Sequence, residues 1–210
     1  MSSVLRTAFV LLAACFAAPA LGQAKPVTET EIALPAPGAG LRVALETSMG
    51  RIVLELYPDK SPATVANFLA YVRDGHYNGT VFHRVVADFL LQGGDYTPDL
   101  QQKPERAPIR NEANNGLSNL RGTISAARKP GERDSARSQF FVNTVDNRQL
   151  DFRGDVPPSA VGYCVFGRVV EGMDVVDKIR VVATNRRGPF AADVPVTAVV
   201  IERAVALPPP

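Results

Sequence analysis

The 210-residue chain has no tryptophan, two cysteines (Cys15 and Cys164) and two histidines (His76 and His83). With so few thiols and imidazoles, and none at metal-ligand spacing, a structural zinc site is excluded. No serine or cysteine sits in a recognisable nucleophile motif and neither histidine has an evident partner, which argues against a hydrolase. A dominant charge is lacking too: the formal net charge is +2 and no basic run reaches five residues. Binding to nucleic acid through its phosphates is therefore not expected. Past the N-terminal segment no apolar run could span a bilayer.

The chain does have a globular composition, 46% hydrophobic and 21% charged, and enough length for one domain with a core. Its N-terminus reads as an export signal: Arg6 supplies the positive charge, and Thr7 to Leu21 is almost wholly apolar but too short for a comfortable membrane span. Ala20-Leu21-Gly22 offers small residues where a signal peptidase reads, so residues 1–22 are expected to be removed. The rival reading is Leu12-Ala13-Ala14-Cys15 as a lipoprotein box that would lipidate Cys15. Removal of the signal leaves Cys164 as the lone thiol, unable to form an internal disulfide and read as a buried small hydrophobe.

Residues 23–40, rich in Pro, Ala and Thr, read as a disordered linker. Leu41, Val43 and Leu45 alternate, as do Ile52, Leu54 and Leu56, which predicts a hairpin with Gly50 at positive φ. Ser61-Pro62 opens a helix, with Ser61 as N-cap and Val65, Phe68, Leu69 and Val72 at helical spacing. Residues 96–119 are a long segment of prolines, charges and amides, too long to be idle filler. Arg121 to Arg128 and Tyr163 to Val170 read as strands, Gly172 to Arg180 as a second short helix, and Val196 to Val205 as a last strand. One domain over residues 41–205 and an unfolded Pro-rich tail over 206–210 complete the reading. Strand signals dominate, but period alone leaves sandwich and barrel open.

Two stretches carry the chemistry. In residues 82–95, FHRVVADFLLQGGD, Arg84 lies among apolar residues. It stays charged at any ordinary pH, so it needs a carboxylate or a structured polar setting, and Asp88 is the only acid nearby in sequence. The bland alternative is a strand arginine that snorkels to water. In residues 138–144, SQFFVNT, strand alternation puts Gln139, Phe141 and Asn143 on one face and Phe140 and Val142 on the other. One Phe is then expected in a core and the other at an exposed apolar site. Leu90 and Gln92 share a face as well. Both stretches therefore offer amides and apolar groups that could converge on a guanidinium.

These two stretches, with RGTISAAR at 121–128 and VFGRVVEGMDVVDKI at 165–179, resemble the cyclophilin-type peptidyl-prolyl isomerases in order and spacing. NEANNGLSNLRGT at 111–123 and GYCVFG at 162–167 resemble the periplasmic bacterial branch. The resemblance implies an all-β, closed eight-stranded antiparallel β-barrel capped by two α-helices, with the ligand on its outer wall and residues 96–119 as a surface excursion. It implies Arg84 as the catalytic donor and Phe89, Leu90, Phe141 and Leu150 as the proline pocket. Gln92 and Gln139 would orient Arg84 and bind substrate carbonyls, Ala127 and Arg128 would line the backbone groove, and Tyr163 would edge the pocket. Gln149 stands where the commonest eukaryotic members carry tryptophan, Tyr163 where they carry histidine, and Arg128 where they carry asparagine. The first departure bears on cyclosporin-type inhibitors. The function implied is X-Pro isomerisation in exported proteins of the periplasm, with a proline-binding chaperone as the alternative. Its partners would be unfolded or partly folded proline-containing polypeptides. A monomer is expected, with no cofactor, no metal, no nucleic acid and no membrane attachment once the signal is gone.

Overall fold

The computed structural model describes residues 40–208; the export signal, the Cys15 lipidation site and nearly all of the linker lie outside the described residues. In chain order the elements are β1 (Arg42–Thr47), β2 (Gly50–Leu56), α1 (Pro62–Arg73), β3 (Thr80–Val86), β4 (Leu90–Gly93), β5 (Thr123–Ala126), β6 (Phe140–Asn143), β7 (Val165–Glu171), α2 (Met173–Arg180), β8 (Thr184–Arg187), β9 (Phe190–Pro195) and β10 (Val200–Leu207). Eight strands close into an antiparallel barrel in the order β1-β10-β3-β4-β6-β5-β7-β2, and β8 with β9 forms a separate two-stranded sheet.

Alternation builds the barrel. Val43, Leu45, Ile52, Leu54, Phe82, Leu91, Ile124, Phe140, Val142 and Phe166 all point inward and are at most 1% exposed, so the interior is filled by side chains and has no room for a ligand. Gly50 takes φ +130° between β1 and β2, as the hairpin reading requires. Gly167 serves another need: a Cβ there would strike the carbonyl oxygen of Glu55 on the neighbouring β2, so only glycine lets these strands approach.

The helices close the ends. Phe68 of α1 meets Tyr77, Phe140 and Phe166 with ring centroids 5.1, 5.7 and 5.2 Å apart. Val175, Val176 and Ile179 are the buried face of α2. Helix α1 begins where Ser61-Pro62 places it, but the Ser61 side chain does not cap it. Its hydroxyl donates to the Val165 carbonyl at 2.9 Å. The carboxylate of Glu112 instead accepts the backbone N–H groups of Ala63 and Thr64, at 3.1 and 2.9 Å.

Three readings need correction. Residues 96–119 are more than a surface excursion, because Leu100, Asn111, Ala113, Leu117, Ser118 and Asn119 are buried. The tail does not start at 206, because Ala206 and Leu207 pair with Val43 and Arg42 as the end of β10. The hairpin of β8 and β9 has no counterpart in the sequence reading.

Candidate active site

The site lies on the outer wall, where β3, β4 and β6 run side by side. Phe141, Leu90 and Ala127 form an apolar cluster separate from the barrel core, with Phe89, Leu150 and Tyr163 packed against it. Six of the residues singled out from sequence are thus brought together. The Phe parity holds, since Phe140 belongs to the barrel core and Phe141 to this cluster. The expected exposure does not: Phe141 is 2% exposed against 1% for Phe140. Tyr163 covers it edge-on, with centroids 5.6 Å apart. Leu90 is buried too and backs the cluster from behind.

Arg84 stands at the edge of this cluster. Its guanidinium carbon lies 5.7 Å from the centre of the Phe89 ring, within the range of a cation–π contact. Its carboxylate partner is not Asp88, which pairs with Arg180. It is Asp193 of β9, whose Oδ2 lies 3.4 Å from Arg84 Nε. Among the described residues this is the only side-chain hydrogen bond Arg84 makes.

The two glutamines do not orient Arg84 directly. Gln92 Nε2 donates to Gln139 Oε1 at 2.7 Å, and Gln139 Nε2 donates to Asp95 Oδ2 at 2.7 Å. Gln102 Nε2 donates to the same oxygen at 2.9 Å. Burial pushes the Asp95 carboxyl up to about 6, nearby Glu105 adds to the rise, and the two amide donors oppose it. Asp95 closes the QGGD sequence, and that placement was its only signal.

Beside these amides runs a groove of about 230 Å³, lined among others by Gln92, Ala127, Arg128 and Gln139. The Ala127 N–H donates to the Gln139 carbonyl at 3.0 Å. Arg128 donates through Nε to the Gly162 carbonyl at 2.8 Å and lies 4.6 Å from the Tyr163 ring centre, so it is held against the rim. Gln149 is exposed on a 3-10 turn (Arg148–Leu150) and donates to Asn147 Oδ1 at 3.1 Å. It stands beside Leu150 but outside the cluster. Among the described residues no group of three or more His, Cys, Asp or Glu could hold a metal ion.

The arrangement is an apolar cluster with one permanently charged donor at its edge and an amide-lined groove alongside. It has no activated nucleophile, and Cys164 is buried with its thiol pushed up by burial. Such a site suits a ligand with an apolar ring beside peptide groups, and chemistry that needs a donor without proton transfer.

Residues 42–205 match the family model of the cyclophilin type peptidyl-prolyl cis-trans isomerases. A peptidyl-prolyl cis-trans isomerase of Streptomyces antibioticus is 56% identical, covering 77% of this chain and 96% of its own. Peptidyl-prolyl cis-trans isomerase B of Escherichia coli is 52% identical over 76% of this chain and 96% of its own. Among solved structures, a cyclophilin type isomerase of Cryptosporidium parvum superposes with a TM-score of 0.66 at 24% identity, over 81% of this chain and 99% of its own. The same protein has been solved in the presence of the dipeptide Ala-Pro. On these matches the chain belongs to the cyclophilin-type peptidyl-prolyl cis-trans isomerases, enzymes that rotate the peptide bond preceding proline.

Proposed function

We propose that the protein isomerises X-Pro bonds in exported polypeptides in the periplasm, with Arg84 as the catalytic donor. The observation that carries this reading is the seat of the Arg84 guanidinium over Phe89, at the edge of the cluster around Phe141. Rotation about an X-Pro bond breaks amide resonance, against a barrier of about 18–20 kcal/mol. In the twisted state the proline nitrogen becomes pyramidal and regains a lone pair. A donor aimed at that nitrogen stabilises the twisted state and not the planar one, so its binding energy lowers the barrier. Each tenfold of rate takes about 1.4 kcal/mol, within reach of a charge-assisted hydrogen bond plus positioning.

The proline ring would sit on Phe89, Phe141, Leu150 and Tyr163, with Leu90 behind them. Gln92, Gln139, Ala127 and Arg128 would hold the flanking backbone, and Gln149 would meet longer ligands at the rim. The substrates are unfolded or partly folded chains containing proline, bound by a monomer without cofactor. Export is supported by the charged and then apolar residues 1–22.

The test is X-Pro peptide isomerisation by the unmodified protein and Arg84→Ala in parallel. The variant should keep its melting temperature and lose at least tenfold in kcat/KM, whereas near-normal turnover would remove Arg84 from the mechanism. N-terminal sequencing of exported protein should begin near Gln23, and a lipid on Cys15 would overturn the periplasmic assignment.

A further inference from the structure

The partner of Arg84 comes from far away in the chain. Asp193 lies 109 residues downstream, in the hairpin that the sequence reading missed. At 3.4 Å, and with side-chain exposures of 39% and 37%, the contact is an ion pair open to solvent. A pair this exposed contributes little to folding. Stability therefore does not account for the pair itself.

The structure that delivers Asp193 is specific. The register of β8 and β9 passes from Asn185↔Val194 to Arg187↔Phe190, an advance of two residues on β8 and four on β9. The surplus residues of β9 form a bulge, a device that re-aims side chains beside active sites. Asp193 sits in it at φ +67°, a conformation that few residues other than glycine, asparagine and aspartate adopt readily. On either side of the bulge β9 grips β3. Phe190 stacks on His83 at 5.2 Å and meets Tyr96 edge-on at 5.0 Å. Val194 packs in a cluster with Val81 and Leu100. His83 immediately precedes Arg84, so the hairpin is anchored where its carboxylate is presented.

The geometry points to Asp193 as a positioning residue for the isomerase reaction. Its carboxylate occupies the Nε edge of the Arg84 guanidinium, and among the described residues no hydrogen bond takes up the terminal amino groups, which can face the proline nitrogen. An arginine otherwise samples many rotamers in water, and each turnover would begin by ordering it. The inference rests on the reading of Arg84 as the donor.

The test uses Asp193→Asn, which keeps the side-chain shape and tolerates the same backbone conformation. With an X-Pro peptide its kcat should fall three- to tenfold, KM should stay within twofold, and the melting temperature should not move. Adding Asp193→Asn to Arg84→Ala should cost nothing further, because Asp193 acts only through Arg84. The Arg84 Nε–H resonance should gain mobility in Asp193→Asn by nitrogen-15 relaxation. A kcat at or above that of the unmodified protein in Asp193→Asn would overturn the inference. So would the same fold loss in both backgrounds, since Asp193 would then act through the fold. If Arg84→Ala itself turned over normally, the donor assignment would fail and the role of Asp193 with it. Failure of Asp193→Asn alone would leave the donor assignment standing.

Discussion

Phe140 and Phe141 are neighbours in sequence and almost equally hidden, yet they support different things. Phe140 touches Phe68, Tyr77 and Phe82 edge-on inside the barrel. Phe140→Ala should therefore cost about 3–5 kcal/mol, because the surrounding rings cannot close the cavity. Phe141 is walled partly by half-exposed Phe89, Leu150 and Tyr163, which can relax into a gap. Phe141→Ala should cost about 1.5–3 kcal/mol and raise KM for an X-Pro peptide. Urea unfolding and peptide kinetics on both variants check this, and a larger loss in Phe141→Ala would reverse the assignment of the two faces. The faces were legible in SQFFVNT because alternation is a local property of the strand. The burial of Phe141 was not, because Tyr163 and Leu150 come from elsewhere in the chain. For the same reason the need of Arg84 for a carboxylate could be read from its own stretch, while Asp193 could not be named.

Elements show the same division between local and distant causes. The start of α1 was legible at Ser61-Pro62, yet its first N–H groups are satisfied by Glu112 from the segment leading to β5. Glu112→Ala should lower stability by about 1 kcal/mol, the usual loss on removing a helix cap. Thermal melts would read this as a drop of a few degrees for a domain of this size, and an unchanged melting temperature would mean that water replaces the carboxylate. The hairpin of β8 and β9 escaped detection for a physical reason. Every residue of β8 is exposed, so it has no apolar alternation, and the bulge at Asp193 breaks the period of β9. The barrel order was not legible from pattern either, since pairing β1 with β10 joins residues near 42 to residues near 207. The four family motifs implied a closed eight-stranded barrel but not this order.

The hairpin also gives the whole molecule a sensitivity to acid. His83 lies buried against Phe190 and Tyr96, and burial, with nearby Arg84, lowers its pKa to about 4. In the unfolded chain it titrates at its ordinary value of 6.5. Between those values the unfolded state binds the extra proton, so the His83 contribution is complete above 6.5 and is lost as pH falls towards 4. Asp95, raised to about 6, acts in the opposite direction. A difference against His83→Phe cancels it. Denaturant unfolding of both proteins at pH 7.5, 5.5 and 4 should show the unmodified protein losing ground to the variant on acidification, and a constant difference would sink the assignment.

The closed barrel has one more consequence, for the company this protein keeps. An open sheet ends in strands whose N–H and C=O groups stand ready to template another chain, a hazard for any protein that works among unfolded polypeptides. In the barrel each strand has a neighbour on both sides, so none of them is an edge strand. Among the described residues the other sheet is that of β8 and β9, where Arg186 and Arg187 place charge on fully exposed β8 and Pro195 removes a donor from β9. On the function proposed above, a client chain would lie across the outer wall and leave again without being recruited into the sheet.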